Sequence, residues 1–229
     1  MFTLIICMKV LIACEESQRV CIEFRKKGHW AFSCDIVPCS GNHPEWHIQD
    51  DVLPLLNGNC EFRVSSGMLY RLIGKWDMII AFPPCTYLCT TGNRWFNVEK
   101  YGEKALQRFR QRQKAIDFFM KFATADCSRI AIENPVGCMS SEFRKPDCII
   151  QPYMFGDPFE KRTCLWLKGL PVLVPTDIID KPPRIYFESG RSMPLWYADC
   201  WNLSKSDRAK ERSKTFPGVA KAMAEQWNF

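Results

Sequence analysis

The run Trp76-Asp77-Met78-Ile79-Ile80-Ala81-Phe82-Pro83-Pro84-Cys85 decides how the chain is read. Residues 76–82 are a short, largely apolar stretch closed by two prolines, the pattern of a buried strand ended by residues that cannot extend a ladder. The pattern recurs upstream at Lys9-Val10-Leu11-Ile12-Ala13-Cys14 and at residues 30–36, and downstream at residues 129–132, cut off by Glu133-Asn134-Pro135. Helical patterns lie between these runs. Residues 15–27 put Val20 and Phe24 on one face before Gly28, and residues 103–125 space Ala105, Phe109, Ile116, Phe119 and Met120 near helical intervals. Further strands are expected at 163–167 and 170–174. A last helix is expected at 217–227, with Thr215 as cap and Pro217 in the first turn. Strands alternating with helices predict an α/β fold, a mostly parallel sheet with helices on both faces.

At 229 residues the chain is of single-domain size, and 47% of it is hydrophobic. A net charge of +6 permits a polyanionic partner without requiring one. Thirteen cysteines, with neither a basic leader nor a small-residue cleavage site in residues 1–7, point to free thiols in a reducing, cytoplasmic compartment. No run approaches the roughly 18 apolar residues of a membrane span. Residues 180–214, rich in Pro, Ser and charge, are the expected irregular or inserted region.

In a parallel sheet, ligands sit at the carboxyl ends of the strands. Cys14-Glu15-Glu16-Ser17, Asp35, Pro83 to Cys85 and Glu133 all fall there. The first turn has no glycine, and its two acids repel phosphate but suit a cation, such as the sulfonium and ammonium of S-adenosylmethionine. The same glutamates would also favour a helix start electrostatically. Asp35, closing the second strand, is placed to accept from ribose hydroxyls, and Asp51 from an adenine amino group. Cys85, aimed by two prolines, is a candidate nucleophile. The plainer alternative is a buried structural cysteine. Cys34, Cys39, His43 and His47 form a zinc-compatible but crowded array around Asp35, and no metal is expected. After Cys85 the chain turns basic and aromatic, with Arg94, Trp95, Phe96, Lys100, Tyr101, Lys104, Arg108, Arg110, Arg112 and Lys114. Such residues neutralise phosphates and stack on bases, or simply form the solvated face of a helix. Residues 205–214 are a second basic run.

Six segments together resemble the DNA cytosine-5 methyltransferases, and more closely their short phage- and prophage-encoded members. They are Cys34-Asp35-Ile36-Val37-Pro38, Asp51-Val52, Pro84-Cys85-Thr86-Tyr87-Leu88-Cys89-Thr90-Thr91-Gly92, Glu133-Asn134-Pro135, Gly156-Asp157-Pro158-Phe159-Glu160-Lys161-Arg162-Thr163 and Gly218-Val219-Ala220. The resemblance implies a Rossmann-like class I S-adenosylmethionine-dependent fold and methyl transfer to carbon 5 of cytosine in double-stranded DNA. Cys85 would add to the base, a protonated Glu133 would donate to ring nitrogen 3, and Lys161 would face the base's carbonyl oxygen. It implies S-adenosylmethionine contacts from Cys14, Glu15, Glu16, Ser17, Asp35, Ile36, Asp51, Pro83 and Ala220. Arg94, Trp95, Lys100, Lys104 and Arg108 become nucleic-acid contacts around a flipped base. The chain departs from the family in its glycine-free first turn, in Thr86 for Gln and Cys89 for Ser, and in Phe159 for Gln and Thr163 for Arg.

The expected division is a catalytic core at 1–174, a reduced recognition region at 175–215 and a helix returning to the core at 216–229. A prokaryotic or phage origin would follow. Because the recognition region is so short, RNA or a free pyrimidine nucleotide is an alternative substrate, and a catalytically silent DNA-binding protein is an alternative of another class. Amino-group methylation is disfavoured by Phe82 and Cys85 flanking the two prolines.

Overall fold

The structure, a computed structural model, describes residues 7–229. The apolar opening, residues 1–6, lies outside the described residues. Eleven strands are present among them: β1 (Lys9–Ala13), β2 (Trp30–Asp35), β3 (His47–Gln49), β4 (Cys60–Arg63), β5 (Leu69–Leu72), β6 (Met78–Ala81), β7 (Ile130–Pro135), β8 (Cys148–Ile150), β9 (Thr163–Lys168), β10 (Arg184–Tyr186) and β11 (Ser192–Pro194). The helices are α1 (Arg19–Lys26), α2 (Val98–Tyr101), α3 (Glu103–Ala123), α4 (Met139–Glu142), α5 (Leu195–Asp199), α6 (Lys205–Ser213) and α7 (Pro217–Gln226).

Seven strands form one sheet in the order β3-β2-β1-β6-β7-β9-β8. The first five pair in parallel, while β9 runs antiparallel to both β7 and β8. Helices cover both faces. This mostly parallel sheet, with one reversed strand next to its edge, has the Rossmann-like topology of the class I S-adenosylmethionine-dependent methyltransferases.

Why the strands are apolar throughout follows from this burial. Alternate side chains point to opposite faces, and here both faces are covered. Leu11, Ala13, Ile79, Ala81, Ile130 and Ile132 join one core cluster, with Phe119 and Phe122 of α3. Val10, Ile12, Met78, Ile80 and Ala131 join the other, with Val20 and Phe24 of α1 and Val219, Ala220 and Met223 of α7. The β4–β5 hairpin packs Phe62 and Leu72 against the α3 side, near β2.

Two expectations are corrected. Residues 170–174 form no strand: Pro171 lacks an amide, and the segment is tied instead to the end of α7. Gln226 bonds both the N–H and the carbonyl of Val174, at 2.8 and 2.7 Å, and Trp227 donates to the Pro171 carbonyl at 3.1 Å. Thr215 does not cap α7. Phe216 occupies that position without a side-chain bond, and the carboxylate of Asp157 accepts from Gly218 N–H at 2.8 Å.

No described helix is long and apolar enough to cross a membrane, and all thirteen cysteines are free.

A candidate active site at the strand ends

The carboxyl ends of β1, β2, β6 and β7 and the start of β9 lie along one edge of the sheet, so the loops that follow or precede them meet there. Cys85 follows β6. Its carbonyl accepts from Leu88 and Cys89 N–H at 3.0 and 3.1 Å, closing a tight turn. The loop then pairs with the segment after β7: Thr90 N–H donates to Val136 and Cys138 N–H to Leu88. Gly137 permits this approach, since a Cβ there would stand 2.0 Å from the Leu88 carbonyl oxygen. Asn134, fully buried on β7, donates from Nδ2 to the Pro83 carbonyl at 2.9 Å. It thereby fixes the backbone two residues before the thiol. The local sequence pattern gives Asn134 no role of its own; a polar residue in an otherwise buried strand is the signal.

Glu133 and Lys161 bring opposite charges to the same place. Lys161 Nζ lies 4.0 Å from Glu133 Oε1, and both side chains are mostly buried. Lys161 also donates to the Arg212 carbonyl at 3.0 Å, and its ammonium lies 5.8 Å from the Phe216 ring centre. Burial raises Glu133 above the ordinary carboxylate range, while Lys161 and the Thr163 hydroxyl pull the other way. Cys85 is exposed at the end of β6, yet partial desolvation by its neighbours pushes the thiol up to about 11; the Glu133 carboxylate adds to the rise and Lys161 opposes it. The cavity lined by Glu133, Lys161, Thr163, Thr215 and Phe216 is about 20 Å³, room for roughly one water molecule.

The β1–β2 half of the edge is acidic. Cys14 and Gln18 both adopt the left-handed backbone conformation, each with φ of 59°. The turn thus lacks glycines yet keeps a conformation that glycine adopts without strain. Glu15 turns inward, and its carboxylate accepts from Val20 and Cys21 N–H at 2.7 and 3.3 Å, capping α1 from within. Burial raises it to about 8. Both oxygens of the Glu16 carboxylate are buried and have no hydrogen-bond partner among the described residues. Asp35 is raised by burial, and its Oδ1 accepts from Val37 N–H at 3.2 Å. Beside it Ile36 is 76% exposed. Asp51 is exposed and accepts from Leu53 N–H at 3.0 Å.

Other expected contacts are placed differently. Ser17 and Pro83 are buried, and Ala220 is fully enclosed in the core beside α1. Arg94, Trp95, Lys100 and Lys104 are exposed, but Arg108 folds back onto the loop after Cys85. The cysteine–histidine array does not gather. His47 spends both ring nitrogens, on Ser33 Oγ and the Val37 carbonyl, at 2.9 Å each. His43 Nδ1 faces Glu45 and Cys34 Sγ faces the Asp50 carbonyl. No group of three metal-binding side chains is found among the described residues.

A wider groove of about 470 Å³ lies at the opposite edge of the sheet, lined in part by Lys75, Asp77, Asp126, Arg129 and Lys168. Two of its cations are engaged, Lys75 with Asp126 at 2.6 Å and Lys168 with the Ala125 carbonyl at 3.3 Å.

No protein-family model matches the chain, and no curated protein matches it. Among solved structures it resembles a protein described as a candidate DNA modification methyltransferase encoded within a prophage of E. coli, at 13% identity and a TM-score of 0.44. The match covers 76% of this chain and 53% of that one, so the chain spans about half its length. The likeness is too distant to carry a functional argument.

Proposed function

We propose that the chain is an S-adenosylmethionine-dependent methyltransferase acting on carbon 5 of cytosine in DNA, with Cys85 as the covalent nucleophile. One observation carries this reading: Cys85, a carboxyl held toward its protonated form and a lysine meet at the end of the sheet beyond β6, β7 and β9. The sequence resemblance supports the same three roles.

The residues of the β1–β2 half fit the cofactor. Glu16 offers a buried carboxylate without a hydrogen-bond partner among the described residues, Asp35 closes β2 with its carboxyl raised by burial, and Ile36 presents an exposed apolar face beside it. When bound, S-adenosylmethionine supplies an electrophilic methyl group on a sulfonium. Glu16 would then neutralise its positive charge, Asp35 would accept from the ribose, and Ile36 would lie against the adenine.

At the other half the chain's residues prepare the base. Carbon 5 of cytosine is a weak nucleophile. Cys85 Sγ, as thiolate, adds to carbon 6 while Glu133 gives its proton to nitrogen 3, and the neutral enamine that results is nucleophilic at carbon 5. Lys161 stabilises charge on the carbonyl oxygen. After methylation carbon 5 gives its proton to water, the electrons of that C–H bond expel Sγ from carbon 6 as thiolate, and nitrogen 3 returns its proton to the Glu133 carboxylate. A protonated Glu133 serves twice, because its negative charge otherwise opposes ionisation of Cys85.

Incubating the purified chain with labelled methyl donor and duplex DNA, RNA or cytidine nucleotides tests the reading. The expected product is 5-methylcytosine in DNA; no transfer to DNA at high enzyme concentration contradicts it. The recognition region, only the β10–β11 hairpin and short helices, favours RNA or a free nucleotide as the second reading, and the same assay separates these.

A further inference from the structure

The loop that carries Cys85 is held from outside by two arginines of α3. Arg112 Nε donates to the Tyr87 carbonyl at 2.8 Å and its terminal nitrogen to Asn93 Oδ1 at 2.7 Å. Its guanidinium stands 3.6 Å from the Phe96 ring centre. One turn earlier on the helix, Arg108 donates to the Thr86 carbonyl at 3.1 Å and lies 4.9 and 5.0 Å from the Tyr87 and Phe96 ring centres. Gly92 makes room for it, since a Cβ there would stand 2.7 Å from the Arg108 guanidinium. Residues at i and i+4 share a helix face, so the pair forms a rigid fork across residues 86–96. A guanidinium suits this use: its donors are fixed in a plane, and the plane itself stacks on aromatic rings.

We infer that Arg108 and Arg112 are positioning residues which lock the Cys85 loop onto α3 and thereby set the direction and exposure of the thiol, rather than cations held for phosphates. The inference rests on the proposed role of Cys85 where it concerns catalysis. The lock itself is a property of the free protein and can be measured without substrate.

Arg112→Ala and the milder Arg112→Lys test it, alongside Lys104→Ala as an exposed cation on the same helix. Three readouts apply: hydrogen exchange at the amides of Leu88, Cys89 and Thr90, the rate and pH profile of Cys85 alkylation followed by peptide mass spectrometry, and duplex affinity as a function of salt. Arg112→Ala should speed exchange at those amides tenfold or more and leave the central strands protected. It should also speed Cys85 alkylation at pH 8 at least tenfold, because a freed thiol titrates nearer its ordinary value. Arg112→Lys should fall between, since lysine keeps the charge but loses the fork. Lys104→Ala should change neither quantity. If transfer is detected, Arg112→Ala should lower kcat and leave KM for the nucleic acid within about twofold.

Unchanged exchange and alkylation in Arg112→Ala overturn the inference. So does a loss of affinity with a salt slope reduced by about one, the mark of a phosphate contact, if the loop amides stay protected. Should Arg112→Ala fail to fold, Gly92→Ala displaces Arg108 and is judged on the same amides and thiol. If no substrate is methylated, the functional reading fails while the exchange and alkylation results still judge the lock.

Discussion

At the β1–β2 half of the strand-end edge, Glu16 and Asp35 are partly or wholly enclosed acids with no ion-pair partner among the described residues. At the β6–β7–β9 half, Glu133 faces Lys161 at 4.0 Å. A buried carboxylate without a partner is costly; in the proposed function the cationic cofactor would supply the missing positive charge. The second half supplies its own compensation, and burial still keeps its acid above the ordinary range. Under the proposed function, the first half is the place for a cationic cofactor and the second the place where a proton is held ready for a neutral base.

Exchanging the acids one at a time breaks the comparison in different ways. Glu133→Gln removes the transferable proton. It should lower kcat about 100-fold or more and leave the affinity for S-adenosylmethionine within about twofold, measured by calorimetry and single-turnover transfer. Glu16→Gln should do the opposite, weakening the cofactor about tenfold, or roughly 1.4 kcal/mol, with Cys85 alkylation unchanged. If Glu16→Gln binds the cofactor as tightly as the parent, the two halves do not divide the work this way.

Glu15 concerns the fold alone. Its folded-state value of about 8 lies above the ordinary 4.5, so the native state holds the proton longer than the unfolded chain. The stability it contributes is complete below about pH 4.5 and is lost as the pH rises toward 8, at up to about 1.4 kcal/mol per pH unit. Urea unfolding between pH 5 and 8 should show that decline flattened in Glu15→Gln. Equal pH dependence of the two proteins would show that Glu15 is not protonated in the native state.

The sheet interior was legible because strands covered on both faces must be apolar at every position, as β1 and β6 are. The edge strands β3 and β8 were not, since three residues are too few to show a period. The β4–β5 hairpin was missed for another reason. Its outward residues, Glu61, Arg63 and Arg71, are charged, and only the alternation of Phe62 and Val64 around a Ser65-Ser66-Gly67 turn marks it. Cys85, Glu133 and Lys161 could be picked out as candidates because each sits in a recognisable run. Asn134, Arg108 and Arg112 work through backbone carbonyls in a loop up to 51 residues away, and no local pattern records that. At Glu15 the sequence shows an acid before a helix, not the direction in which its carboxylate turns.

The central claim is that Cys85 forms a bond to the pyrimidine. A duplex bearing 5-fluorocytosine tests it, because fluorine at carbon 5 cannot leave as a proton and the adduct persists. With S-adenosylmethionine present, peptide mass spectrometry should find the base attached to Cys85, and Cys85→Ala should yield neither adduct nor methylated product. Methyl transfer by Cys85→Ala at the parent rate, or an adduct on another cysteine, would contradict the account.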